Sequence, residues 1–312
     1  MTFIALFYIV AVFLLGAILG SFLNVVAVDT MNIYMKEKLY ERSESKFIFS
    51  RIFSKEFWRH AVTHRSACDT CDTVLTPKEL VPVVSYLWQK GRCRTCDVSF
   101  SPQHLYVELI AGVIFLGVFL TVFSAYSVLS PLFFFEVFYL FVFFALGIIL
   151  MIFDYEHMIV PNFTVYPMMI MAFVAQILPF RSLPDISITE SISAAVILAA
   201  PLFLIWLVTK GTAMGFADWK IGFVIGALLG INLGISGWVF SFWIGALISM
   251  ALIMFSKSRK SVTESDEEGR DVVIREDEDE TLNLKSAVPF GPFLILGLWT
   301  AYVTGVVIIG IL

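Results

Sequence analysis

Long apolar runs alternate with short polar ones along the whole chain. Eight of the runs are candidates for crossing a bilayer: Phe3–Val28, Leu105–Phe123, Pro131–Phe153, Phe163–Leu178, Ile192–Val208, Ile221–Leu233, Trp238–Phe255 and Ala287–Leu312. A run such as Pro131–Phe153, 23 residues long, reaches roughly 34 Å as a helix at about 1.5 Å per residue, enough to span. The sixth run is short and holds Gly222, Gly226 and Gly230, with Gly234 just beyond. That every-fourth-residue pattern lets a neighbouring helix approach closely.

Composition agrees with the pattern. The chain has 312 residues, of which 59% are hydrophobic and 15% charged, and a mean hydropathy of +0.86 excludes a soluble domain. Lipid is the partner that must cover most of this surface, and no nucleic-acid partner is expected. The first run lacks a basic n-region and a small-residue cleavage site, so it reads as a retained helix. Lys and Arg accumulate on the cytoplasmic side of short loops. With eight crossings, 20 of the 21 Lys and Arg fall on one face, leaving only Arg181 on the other. This places the segment Asp29–His104, the end of the third run and the Thr212–Lys220 turn in the cytoplasm, with both termini outside.

The first cytoplasmic loop opens with Lys46–Arg59, where Phe47, Ile48, Phe49, Ile52, Phe53 and Phe57 alternate with basic residues. The spacing suits an amphipathic helix on the membrane surface, or a surface for a partner helix. The last cytoplasmic loop, Ser256–Ser286, is densely acidic with little to bury and reads as solvated and disordered. All four cysteines lie in two C-x2-C knuckles, Cys68–Cys71 and Cys93–Cys96. Four thiolates at that spacing close a tetrahedron around Zn²⁺, and a filled sulfur shell leaves no position for a catalytic water, so the expected metal is structural. Disulfides are the alternative, but the cytoplasmic placement disfavours them. His60 and His64 are nearby and not needed as ligands.

Two carboxylates carry the candidate chemistry. Asp154 closes the third run in Asp154-Tyr155-Glu156-His157, at a helix C-terminus where the macrodipole disfavours an anion. Asp218 lies in the small-residue turn Gly215-Phe216-Ala217-Asp218, entering the sixth run at a helix N-terminus, which has the opposite bias. Taken singly they read as a solvated boundary residue and a helix cap. As a pair on one membrane face they have what a shared-proton dyad requires, with Asp218 as base and Asp154 as acid.

These segments resemble the bacterial type IV prepilin peptidases. The resemblance is carried by Gly20-Ser21-Phe22-Leu23-Asn24-Val25-Val26, Arg65 to Cys71, Val81 to Leu87, Lys90 to Cys96 and Tyr106-Val107-Glu108-Leu109. It continues through Asp154 to His157 with Pro161, Gly215 to Lys220, and Val288-Pro289-Phe290-Gly291-Pro292. The resemblance implies a membrane aspartyl endopeptidase that removes the leader of prepilins or pseudopilins at the cytoplasmic face of the inner membrane. It implies Asp154 and Asp218 as the catalytic pair, supported by Glu156, His157, Gly215, Ala217 and Lys220. It further implies N-methylation of the new terminus with S-adenosylmethionine, with Gly91 matching a position linked to that activity.

Two departures stand out. Ala217 replaces a glycine of the usual GxGD, and a positive φ there would be strained. The first signature continues into Asp29-Thr30-Met31-Asn32 in place of Arg-Leu-Pro. The expected fold is therefore an all-α polytopic membrane protein of about eight transmembrane helices with a small cytoplasmic zinc-binding module. It divides into residues 1–28, the first helix; 29–104, the loop with the module; and 105–312, a seven-helix peptidase domain. Competing readings are a peptidase whose module is only a structural clip, and a transporter or channel with intramembrane carboxylates.

Overall fold

The computed structural model describes residues 2–39, 66–68, 70–212, 214–256, 264–265, 271–272 and 289–308. The amphipathic stretch Lys46–Arg59, His60 and His64 lie outside the described residues. So does most of the acidic loop 256–286, whose described part is a two-residue antiparallel pairing of Glu264–Ser265 with Asp271–Val272.

The α-helices among the described residues are α1 (Thr2–Leu39), α2 (Val84–Trp88), α3 (Gln103–Ala125), α4 (Pro131–His157), α5 (Asn162–Ala175), α6 (Ile188–Thr209), α7 (Asp218–Ser256) and α8 (Gly291–Thr304), with a single 3-10 turn at Pro77–Leu80. Five of them are long and apolar enough to cross a membrane, and α5 and α8 are shorter apolar helices. Helix α1 runs past the end of its apolar run at Val28, because Asp29 to Leu39 contains no Pro or Gly to stop it, and Thr30 and Met31 are buried.

Helix α7 is two helices in one. Gly230 takes φ 71° and ψ −170°, a conformation open to glycine. Beyond it the chain folds back: a Cβ on Gly234 would lie 3.7 Å from the Cα of Gly226, whereas eight residues of continuous helix would separate those positions by about 12 Å. The carbonyls freed at the bend are taken up by side chains, Ala227 O accepting from Ser191 Oγ at 2.7 Å and Leu228 O from Gln176 Nε2 at 2.9 Å. Counting the two arms separately gives eight membrane-domain helices among the described residues, the expected number.

The glycine series works as its spacing predicts, except that Gly230 is the bend. Added Cβ atoms at Gly222 and Gly226 would meet Leu202 Cδ1 at 2.8 Å and Ala194 O at 2.4 Å, so the first arm of α7 packs directly on the backbone of α6. Helix α8 packs against both α7 and α4, and Gly297 lets it approach Gly237 O.

Glu136, fully buried within the phenylalanine-rich part of α4, ties the far end of the bundle together. It accepts from the Tyr126 hydroxyl at 2.5 Å and from the N–H groups of Arg181 and Ser182 at 3.1 and 2.9 Å. The Ser182 hydroxyl also bonds Glu136 and lies 2.8 Å from the Tyr302 hydroxyl of α8. A lone carboxylate in a span is a functional suspect by default. This one has a complete set of structural partners.

Candidate active site and metal module

Asp154 occupies the last turn of α4, and the next residues leave the helix through Met158 in the left-handed region at φ 53°. Asp218 begins α7 directly after the Gly215–Ala217 turn. Both side chains are 5% exposed, and the charge of Asp154 acts electrostatically on Asp218. Each carboxylate holds one backbone donor through Oδ2: Gly291 N–H at 2.8 Å for Asp154, and Gly215 N–H at 3.0 Å for Asp218. Gly291 is the first residue of α8, so a helix N-terminus from elsewhere in the chain points at Asp154 and opposes the unfavourable end of its own helix. This contact has no local sequence signal beyond Gly-Pro opening an apolar run.

Gly291 leaves room for the Asp154 carboxylate as it stands, since a Cβ there would lie 2.6 Å from Asp154 Oδ2 and force it or α8 to move. A Cβ on Gly215, by contrast, would meet Asp218 Oδ2 at 3.4 Å, an ordinary contact. Ala217 is not among the positive-φ residues, so its methyl group brings no backbone strain.

The other residues singled out by sequence fall around this pair and not in it. Lys220 is 7% exposed and donates to Asn162 Oδ1 at 2.7 Å, with its ammonium 5.2 Å from the centre of the Tyr166 ring. It joins the start of α7 to the start of α5. Glu156 is exposed and accepts from Gln103 Nε2, tying α4 to the start of α3; His157 is exposed.

The cysteine module is a repeat with an offset of 25 residues, Cys68 matching Cys93, a regularity visible in Cys68-Asp69-Thr70-Cys71-Asp72 against Cys93-Arg94-Thr95-Cys96-Asp97. Each half folds alike. Cys68 N–H donates to Thr73 O at 3.0 Å and Cys93 N–H to Val98 O at 2.8 Å. Asp72 and Asp97 both turn with positive φ, 53° and 56°, and each half closes with one bridge, Ala67 with Val74 and Arg92 with Ser99.

The four Sγ atoms lie within 4.8 Å of one another, with Cys68–Cys96 at 3.7 Å and Cys71–Cys93 at 3.8 Å. A tetrahedral ion with metal–sulfur bonds of about 2.3 Å requires sulfurs about 3.8 Å apart, so the donor set fits a four-thiolate metal. The Thr73 hydroxyl and N–H pull the Cys71 thiol down to about 6, which favours the metal-binding thiolate. All four cysteines are free thiols.

Gly91 takes φ 68°, and a Cβ on it would lie 2.8 Å from the Tyr86 ring. Its requirement is met by the turn and by Tyr86.

Two family models match this architecture in order. The Bacterial Peptidase A24 N-terminal domain covers residues 14–122, and the Type IV leader peptidase family covers residues 141–250, which includes both aspartates. The chain belongs to the type IV leader peptidase family. Among curated relatives of this family, the prepilin leader peptidase/N-methyltransferase of Aeromonas hydrophila is 25% identical over 96% of this chain and 91% of its own length. That of Vibrio cholerae is 27% identical over 72% and 79%, and that of Bacillus subtilis 32% identical over 55% and 64%. No solved structure matches. A leader peptidase of this family with eight bundle helices is a multi-pass protein of the inner membrane, and it is an enzyme of the aspartic peptidase class.

Proposed function

We propose that the chain cleaves the leader from type IV prepilins or pseudopilins, with Asp154 and Asp218 as its catalytic pair at the cytoplasmic face. The observation that carries this reading is the pair itself: two buried carboxyls that act on each other electrostatically, one anchored by the Gly291 N–H at the start of α8 and the other by the Gly215 N–H in the turn before α7. Two buried carboxylates that act on each other electrostatically are most cheaply held with one proton shared by the pair. The ionised member takes a proton from the attacking water while the protonated member donates to the scissile carbonyl oxygen, and the proton then passes to the leaving amine. Asp218 suits the base because it sits at the N-terminus of its own helix, whereas Asp154 sits at the C-terminus of α4, where the start of α8 only offsets an unfavourable helix end; Asp154 then serves as the acid. The apparent titration belongs to the pair.

The module holds a structural Zn²⁺ through Cys68, Cys71, Cys93 and Cys96, and the same chain N-methylates the new terminus with S-adenosylmethionine as methyl donor. Gly91 acts on that second activity through the shape of the module, because Tyr86 occupies the space beside it. Incubating the purified protein with a prepilin peptide and S-adenosylmethionine, and reading product masses, tests both activities. The expected products are the cleaved peptide and the same peptide 14 Da heavier, about one CH₂. Absence of cleavage by the folded protein overturns the peptidase assignment; cleavage with no mass gain leaves a peptidase with a structural clip.

A further inference from the structure

The segment between the two knuckles holds an unusual turn. Val83 takes φ 64° and ψ −52°, and Val84 N–H donates back to Pro82 O at 2.6 Å, which makes a classic-sense γ-turn with a β-branched residue at its centre. Positive φ at valine is a genuine outlier, and such conformations persist only where the surroundings impose them. The restraint is visible: Val83 N–H donates at 2.8 Å to Oε2 of Glu108, a 9% exposed carboxylate in the second turn of α3. The turn leads directly into α2, whose Tyr86 accepts from Gly91 N–H at 2.9 Å and packs its ring on Gly91. Gly91 O in turn accepts from Phe100 N–H at 2.7 Å, closing the second knuckle. A continuous chain of contacts therefore runs from α3 of the membrane domain through Val83 and Tyr86 to the metal site.

We propose that Glu108 is a positioning residue that latches the metal module to the membrane domain by holding Val83 in its strained turn, and so sets the alignment needed for methyl transfer but not for cleavage. The activity part rests on the methyltransferase reading above; the latch itself does not. A carboxylate in the membrane domain is spent on one loop amide, and the loop residue it holds is one that would leave this conformation if released. The dyad lies on other elements, α4, α7 and α8, and is anchored without Glu108.

The test uses the zinc-loaded protein and three variants. In Glu108→Ala, amide exchange over Val81–Trp88 should accelerate, zinc content and cleavage should stay within about twofold of wild type, and methyl transfer should fall at least about tenfold, since misplacement of about 1 Å alone costs on the order of 100-fold. Glu108→Gln keeps an acceptor for Val83 N–H and should retain most activity. Val83→Gly accepts the positive φ without strain, so adding it to Glu108→Ala should restore both exchange protection and methyl transfer, a rescue that general loss of stability would not give. Unchanged exchange at Val81–Trp88 in folded Glu108→Ala overturns the latch. Equal loss of cleavage and methyl transfer, or no rescue by Val83→Gly, overturns the positioning role. No methylation by the wild type would refute the methyltransferase reading and with it the activity part, while the exchange experiment would still decide the latch.

Discussion

Gly291→Ala is the sharpest test of how the dyad is built. The new methyl would stand 2.6 Å from Asp154 Oδ2 and 3.1 Å from its Cγ, while ordinary contact begins near 3.4 Å, so the carboxylate must retreat by about 0.8 Å or α8 must shift. The substitution keeps the Gly291 N–H donor and changes no ionisable group, so its effect reads geometry alone. A displacement approaching 1 Å at a reacting group costs up to about 100-fold. The expected fall in kcat is therefore roughly 10- to 100-fold, about 1.4–2.8 kcal/mol of transition-state stabilisation. Overpacking should add about 1–3 kcal/mol of destabilisation. Steady-state cleavage of a prepilin peptide, followed by mass with thermal unfolding as control, separates the two effects. Ala217→Gly is the matched control in the facing turn: residue 217 has no positive φ to relieve, so cleavage should stay within about twofold. A folded Gly291→Ala protein with wild-type kcat would refute the claim that α8 positions Asp154.

Asp154→Asn and Asp218→Asn should each lower cleavage by orders of magnitude in folded protein, and the double variant should be little worse than either, because groups acting as a unit are not additive. Near-normal cleavage by Asp218→Asn would return both residues to boundary and cap. Glu156→Gln and His157→Gln, exposed and outside the pair, should lose far less in the same assay. A chelator or Cys68→Ser should loosen Cys68–Cys96 as seen by amide exchange, and cleavage that tracks zinc occupancy in protein whose fold persists would contradict a structural metal. Thr73→Val removes the hydroxyl that helps bring Cys71 to about 6. A raised thiol pKa means more proton competition, so zinc retention should weaken between about pH 6 and 8 and match wild type above about pH 9, where the thiolate forms unaided.

How much of this was legible in the sequence depends on the range of the interaction. The membrane runs were readable because each helix satisfies its own backbone and exposes apolar side chains over a fixed length, a purely local requirement. The four-cysteine donor set was readable because a two-residue gap between cysteines is itself the local geometry of a knuckle. The two aspartates were readable as the charged ends of apolar runs, and Gly222 and Gly226 as points of close approach. The partners of these residues were not readable, because they come from remote segments. Gly291 reaches Asp154 across 137 residues, Trp299 bonds Ile114 O across 185, and Val83 meets Glu108 across 25. Glu136 resembles an intramembrane functional acid until its four hydrogen bonds, from Tyr126, Arg181 and Ser182, are in view. Gly230 belongs to a regular glycine series, yet only packing against α6 and α8 decides that it, and not Gly226 or Gly234, bends the chain back. The sequence alone thus determined the spans, the metal donors and the identity of the two carboxyls; the tertiary structure decided which helix starts face those carboxyls and where the long helix turns, because those choices are made by contacts between helices and leave no periodic mark within any one of them.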